Sequence, residues 1–484
     1  MTNLPESEIR LQKLKTLRSK GIDPYPSFVP EFTEITEAIK GKEGDKLAIS
    51  GRITAMRDHG KATFLDISSE EKLQTLAKDD VLGENYDLIP LLDIGDFIWA
   101  KGDLFKTKTG QLTLNIEELK ILSKSILPVP EHFHGLTDVE TRYRQRSLDF
   151  KINKEARDII RVRSEVIANL RGYLEKNDFI EIQTPILQAI PGGAAAKPFM
   201  TKYNILDADF FLRIAPELYL KRLITGGFER VFEIGPAFRN EGLSHMHNPE
   251  FTLCEFYWAY KTYQDLMVFT KDMVQEIIRA ILGDSLKLTY QGKSIDFGGE
   301  WKTVQFGELI RKETGIDIYK YPDFDDLAKV VKDAGIDLNW REINVWSKLV
   351  DELYKKVSRP KIIQPTFITD HPAELTPLAK RNPQNPKLAQ RFQLVAAGGF
   401  ELVNAYTELN DPLEQERLFK EQAKMRKSGF DEGHMVDSNY IEALSFGMPP
   451  TAGWGMGIER FVMILTDQYS IKEVIPFPTL KPQK

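Results

Sequence analysis

The chain has 484 residues, 42% hydrophobic and 28% charged, with a formal net charge of −6. That length supports two or three domains with a sizeable core. The acidic balance excludes a generic polyanion binder, so a nucleic-acid partner would have to be met by local positive patches. The single cysteine, Cys254, excludes an internal disulfide and a cysteine metal cluster, and the lack of an apolar leader or long apolar run predicts a cytoplasmic protein with no membrane span.

Residues 6–20 alternate apolar and charged positions at helical spacing, with Lys13, Lys15, Arg18 and Lys20 on the outer face and Gly21 as the C-cap. The Pro-rich stretch from Asp23 to Pro30 reads as a linker, so residues 1–45 are a helix and a linker. Five short strands follow: Leu47–Met56, Lys61–Ile67, Leu73–Ala77, Phe97–Lys106 and Gln111–Leu122. Punctuated by Gly51, Gly60, Gly102 and Gly110, they predict a small barrel of the OB type over residues 46–127. Pro128 and Pro130 mark a boundary, after which residues 128–484 form one larger domain. Helical pattern covers Asp138–Asp149 and Lys154–Asn177, and Phe179–Ile182 is strand-like. Between Arg142 and Arg171 stand nine basic and four acidic residues, either a solvated helix face or an RNA-facing patch. A mostly helical insertion is expected at about 281–390.

The most informative stretch is F-E-R-V-F-E-I-G-P-A-F-R-N-E-G-L-S-H-M-H-N-P-E-F-T-L-C-E-F-Y-W, residues 228–258. It predicts two strands joined by a charged loop. Glu233, Arg239 and Glu241 share one parity on the incoming strand, and Phe251, Glu255 and Tyr257 share one on the outgoing strand. Side chains at i, i+2 and i+4 line one face. A sheet face of ionic groups and aromatics, flanked by apolar residues, is costly unless the charges are paired or hold a ligand. A similar face is predicted in F-E-L-V-N-A-Y-T-E-L-N-D, residues 400–411, where Asn404, Tyr406 and Glu408 alternate. Glu401 is off that parity and requires a bulge near Val403 to join them.

The hairpin resembles motif 2 of the class II aminoacyl-tRNA synthetases, and F-R-N-E-G with H-N-P-E-F resembles the lysyl family. R-I-A-P-E-L-Y-L-K (213–221) follows that family almost residue for residue, G-W-G-M-G-I-E-R (453–460) resembles motif 3, and Pro185 in F-I-E-I-Q-T-P resembles the motif 1 proline of a dimer interface. The resemblance implies an α+β chain: a five-stranded OB-fold anticodon-binding barrel, then a catalytic domain with an antiparallel sheet flanked by helices. It implies a homodimer that uses ATP and Mg²⁺ to attach L-lysine to tRNA(Lys) through a lysyl-adenylate.

By the same resemblance Arg239 and Arg460 are catalytic. Gly193, Glu217, Arg239, Tyr257, Asn404, Tyr406 and Glu408 bind lysine, with Glu217 on the α-ammonium and Glu408 and Tyr257 on the ε-ammonium. Arg239, Glu241, His247, Asn248, Phe251, Glu401 and Arg460 bind ATP, with Phe251 stacking on adenine. Glu401 holds the metal, with Glu408 and Gln393 as further ligand positions. In the barrel, Arg57, Phe64, Gln74 and Glu118 fall at anticodon contacts.

Two residues depart from the family. Gln393 stands where a carboxylate is usual, and a neutral amide is a weaker Mg²⁺ ligand. Met246 stands where bacterial members often carry arginine, and His245 is the expected substitute for its γ-phosphate contact. An aspartyl- or asparaginyl-tRNA synthetase would share the barrel and motifs, although Glu408 and Tyr257 suit a cationic side chain. A paralogue that modifies a protein would typically lack the barrel, and a catalytically inactive tRNA-binding paralogue is the remaining alternative.

Overall fold

The computed structural model describes residues 5–128, 136–341, 343–427 and 435–483. Its backbone contacts separate two compact units, Met1–Phe133 and His134–Lys484. Pro130, one of the two boundary prolines, lies outside the described residues.

In the first unit five strands close a barrel: Lys46–Asp58, Ala62–Ser68, Lys72–Lys78, Phe97–Lys106 and Leu112–Ser123. The third and fifth run parallel and complete the closure, and the other pairings are antiparallel. Ile49, Ile53, Leu65, Ile67, Leu104, Leu114 and Ile116 fill the interior at alternate positions, as a closed barrel requires. The helix Glu6–Ser19 puts Leu17 into this core. Lys13, expected to be exposed, is half-buried and pairs with Asp93 at 2.7 Å. Lys124 is fully buried and bridges Asp93 and Asp96, the latter at 2.8 Å.

In the second unit eight strands form one sheet, in the spatial order Lys302–Gln305, Thr366–Thr369, Arg391–Ala396, Phe400–Thr407, Thr451–Gly457, Glu250–Ala259, Arg230–Phe238, Ile180–Glu181. The central pairings are antiparallel, but the outermost pairing at each edge is parallel, so the sheet is mixed rather than antiparallel throughout. The stretch 281–390 is correspondingly not a plain helical insertion. Helices Phe306–Thr314, Phe324–Asp333 and Trp346–Val357 occupy its middle, while Lys302–Gln305 and Thr366–Thr369 belong to the sheet. Four-residue strands are too short for a period-2 pattern to declare itself, and all four residues of Thr366–Thr369 are buried.

Helices Lys154–Lys176, Tyr263–Leu282 and Ile458–Leu465 pack on one face of the sheet through Leu170, Phe256, Phe269, Trp454 and Phe461. Period-2 alternation then fixes the opposite face: Cys254 and Phe256 join this core, while Glu255 and Tyr257 turn to the other side. The basic run after Arg142 is largely consumed by internal pairs. Arg142 and Arg146 hold Asp149 and Glu473, Arg163 holds Glu459, and Arg171 holds Glu181. No helix among the described residues is long and apolar enough to cross a membrane.

Removing the ammonium of Lys124 leaves Asp96 buried without its cation. Lys124→Met should therefore destabilise the first unit by about 3–5 kcal/mol. Urea unfolding followed by the fluorescence of Trp99, the unit's own tryptophan, checks this.

Candidate active site

On the open face of the large sheet lies a cavity of about 340 Å³. Gly193, Glu217, Arg239, Glu241, His247, Asn248, Phe251, Tyr257, Glu401, Asn404, Tyr406 and Arg460 all line it, although they come from five separate stretches of chain. The hairpin delivers Arg239, Phe251 and Tyr257 through the pairing of Arg230–Phe238 with Glu250–Ala259. Glu401 joins Asn404 and Tyr406 because the register against Arg391–Ala396 slips: Leu394 pairs with Val403 but Val395 with Glu401, leaving Leu402 unpaired. That is the bulge the parity of Glu401 demanded.

One end of the cavity is anionic. Glu217 starts the helix Glu217–Thr225, and its oxygens lie 2.9 and 2.8 Å from the Tyr406 hydroxyl. Lys221, one turn on and fully buried, donates to Glu217 at 2.9 Å and to Glu408 at 2.7 Å. Glu255 accepts from the Tyr257 hydroxyl at 3.3 Å. The other oxygen of Glu408, Oε1, is buried with no partner. Glu217 and Glu408 thus share one ammonium, and Glu255 is buried in the same wall beside the Tyr257 hydroxyl. Burial, partly offset by Lys221, pushes the Glu408 carboxyl up to about 8, and burial followed by the charge of Glu217 pushes Glu255 well up. The energetic logic is that of an unfilled counter-charge: buried anions shed their charge or wait for a cation.

Two glycines make room for this end. A Cβ on Gly453 would come within 2.0 Å of Glu408 Oε1 and 2.6 Å of the Tyr257 ring. Gly193 has φ +90°, and a Cβ there would lie 2.8 Å from that of Glu217.

The other end is cationic. The Arg239 guanidinium lies over the Phe251 ring at 5.1 Å, and its Nε is buried without a partner. Arg460 donates to the Glu401 carbonyl and to His247 Nε2, each at 3.3 Å. An arginine can only donate, so His247 Nε2 is the acceptor and Nδ1 carries the proton toward Ser244 Oγ at 2.9 Å. Burial and then the charges of Arg460, Arg239 and Arg359 press this imidazole down to about 4, so it is neutral at physiological pH. Arg391, buried, donates to Asn404 Oδ1 at 2.8 Å and fixes that amide.

Several expected roles change. Asn248 lines the cavity, but its amide is engaged by the Glu250 carbonyl at 2.6 Å and the Thr479 N–H at 3.2 Å, so it pins the loop. His245 does not line the cavity; its ring stacks on Tyr469 at 4.7 Å. Gln393 is buried beneath the Tyr354 hydroxyl at 3.5 Å. Glu408 lies seven residues along from Glu401, just past the end of the strand Phe400–Thr407, and is paired with Lys221. Neither Gln393 nor Glu408 therefore joins Glu401 in a metal cluster, and among the described residues no group of three acidic, histidine or cysteine side chains could hold a metal alone. Glu233 is sealed against Arg213 and Thr184, away from the cavity.

Sequence reasoning overlooked Lys221 as a site residue. Its signal was the Glu217–Lys221 spacing of four on an otherwise apolar helix face. In the barrel, Arg57 sits opposite Phe64, and Asp66 opposite Gln74. Arg57 is forked onto Asp66 at 2.7 and 3.3 Å, and Gln74 accepts from Thr113 at 3.0 Å. Arg57, Phe64 and Gln74 thus form one outer patch, whereas Glu118 is paired with Lys101 at 3.2 Å.

Residues 138–481 match the family model described as tRNA synthetases class II (D, K and N), and residues 47–122 match an OB-fold nucleic acid binding domain. The chain is 45% identical to a lysine–tRNA ligase of Pelotomaculum thermopropionicum, with 98% of this chain and 95% of that one covered. It is 44% identical to the lysine–tRNA ligase of Thermotoga maritima (99% and 96% covered) and 44% identical to that of Carboxydothermus hydrogenoformans (98% and 98% covered).

The room left by Gly453 is essential to the anionic wall. Gly453→Ala should cost about 1–3 kcal/mol through overpacking. Thermal unfolding of the second unit should report that loss, with the first unit's transition unmoved.

Proposed function

We propose how this cavity works from one premise: the chain belongs to the lysine–tRNA ligases, a family of class II aminoacyl-tRNA synthetases, and attaches lysine to tRNA at the expense of ATP. Lysine lies with its two ammonium groups toward Glu217, Glu255 and Glu408. Its α-ammonium meets Glu217 near Gly193, and its ε-ammonium meets Glu408 Oε1 and the Tyr257 hydroxyl. The observation that carries this placement is the charge count of the wall, three carboxylates against the single ammonium of Lys221. A ligand with two ammonium groups balances it. An aspartate side chain would add a fourth negative charge, and an uncharged one would leave Glu408 unpaired.

The lysine carboxylate then points to Arg239, whose guanidinium also reaches the α-phosphate. It holds nucleophile and electrophile together and offsets charge growing at phosphorus. Adenine stacks on the face of Phe251 that Arg239 does not cover, and Glu241 accepts from the nucleotide. The triphosphate runs toward Arg460 and neutral His247. Mg²⁺ commonly takes one or two carboxylates and completes its shell with substrate phosphates and water. Glu401 is the residue that would hold such an ion, which would supply neutralisation of phosphate charge. Neither the attack of the lysine carboxylate nor the later attack of the tRNA terminal hydroxyl needs a nucleophile from the protein.

The barrel patch of Arg57, Phe64 and Gln74 reads anticodon bases, Phe64 by stacking and the polar pair at base edges, with Glu118 as a further contact. The protein acts in the cytoplasm as a homodimer. Pro185, Ile186, Leu187, Met200 and Ile205 are exposed around one small three-stranded sheet, and an apolar surface of this kind favours a covering partner. Multi-angle light scattering should give twice the chain mass of 55.4 kDa; a monomer at assay concentration would refute the dimer.

ATP–pyrophosphate exchange across a panel of amino acids tests the pocket, with lysine the expected substrate and aspartate and asparagine inert. Glu408→Gln should raise the KM for lysine by about a hundredfold or more. The pH dependence has a defined sign. With a folded value near 8, above the ordinary carboxyl range, Glu408 contributes stability to the empty protein at low pH that is lost as pH rises through about 8. An ammonium ligand prefers the ionised form, so lysine should bind more tightly from pH 7 to 8.5. Calorimetry in which Glu408→Gln leaves that slope unchanged would remove Glu408 as its source.

A further inference from the structure

Arg359 has no role in the chemistry described so far. It opens a short turn, Arg359–Lys361, between the helix Trp346–Val357 and the strand Thr366–Thr369. Its guanidinium lies 3.9 Å from Glu401 Oε2, too far for a hydrogen bond, and among the described residues it makes no side-chain hydrogen bond. Five donors on a fixed fork, about a quarter exposed, stand beside the carboxylate at the phosphate end.

The position of this cation is set by packing. The turn between Arg391–Ala396 and Phe400–Thr407 presses on the backbone of Arg359: a Cβ on Gly399, at φ +107°, would come within 3.2 Å of its carbonyl oxygen. The N–H groups of Ala397 and Gly398 bond to the carbonyls of Ile363 and Ile362, each at 2.8 Å. The hairpin that carries Glu401 and the turn that carries Arg359 are therefore laced together. Arg359 also contributes, with Arg460 and Arg239, to the field that holds His247 neutral.

Arg239 and Arg460 line the cavity with His247 and Glu401, and Arg359 reaches the same end through its approach to Glu401, so three guanidiniums favour a multiply charged anion here. Gln393 brings no second negative charge to this end, because it is neutral and covered by Tyr354. An extra metal ion would have little here to hold it, whereas an arginine needs no ligands.

We propose that Arg359 is a phosphate-positioning residue that binds the β,γ-phosphate end of ATP, and the pyrophosphate it becomes, beside Glu401. It supplies from the protein part of the positive charge that a second carboxylate would recruit as metal. The proposal rests on the placement of the triphosphate beside Glu401 and Arg460 given above.

Calorimetric binding of ATP with Mg²⁺, of AMP and of L-lysine to the full chain and to its Arg359→Ala and Arg460→Ala variants tests it. Arg359→Ala should weaken ATP binding by about tenfold or more, with AMP and lysine affinities unchanged, since neither ligand has the outer phosphates. Full ATP affinity in Arg359→Ala with loss in Arg460→Ala would overturn the role of Arg359 and leave the placement of ATP intact. Full ATP affinity in both variants would overturn that placement as well. Equal losses for ATP, AMP and lysine in Arg359→Ala would mean that the residue only supports the fold, and would also overturn the proposal.

Discussion

A buried charge imbalance governs this catalytic unit. Glu217, Glu255 and Glu408 are buried in one wall, where the ammonium of Lys221 pairs with Glu217 and Glu408 and the Tyr257 hydroxyl donates to Glu255. Such an arrangement is unfavourable by several kcal/mol in an empty protein, and it persists only because the surrounding scaffold leaves the side chains no alternative. The scaffold is the eight-stranded sheet, whose opposite face is buried under three helices. Stability comes from that face and strain is tolerated on this one, as the raised carboxyls of Glu255 and Glu408 record.

The same sheet separates two chemistries by position along its strands. One end gathers carboxylates and phenols, the other gathers guanidiniums, and Arg239 lines the same cavity. This polarity suits a reaction between two anions. A carboxylate and a phosphate repel each other in water, and a site that places each against opposite charge and holds a shared cation between them removes much of that barrier. The orphaned Nε of Arg239 is consistent with a donor kept for a ligand rather than for the fold.

Much of this was legible in the chain because strands report their faces by parity. Glu255 and Tyr257 against Cys254 and Phe256 is a period-2 pattern in which charge marks the site and apolar residues the core. The off-parity Glu401 required a bulge, which is found at Leu402. Other features had no one-dimensional signal. The edge strands Lys302–Gln305 and Thr366–Thr369 are too short to show alternation. The engagement of Asn248 with Glu250 and Thr479, and the cover of Tyr354 over Gln393, depend on partners far away in sequence. Lys221 is intermediate: the spacing from Glu217 was readable, but its second partner, Glu408, lies 187 positions on.

Fold and specificity are separable here. The family model that matches the second unit spans synthetases for D, K and N alike, so this fold does not itself select the amino acid; a fold hosts a site without dictating it. The selection of lysine proposed above is narrower: it falls to the unpartnered oxygen of Glu408, the Tyr257 phenol beside it, and a glycine at 453 that lets both approach. Lys221 completes this arrangement in a way its charge alone would not suggest. By occupying Oε2 of Glu408 it fixes the carboxylate's orientation and leaves Oε1 without a partner. One ammonium among three carboxylates leaves a deficit that two further ammonium groups fill, and among the amino acids that share this fold's synthetases only lysine brings two.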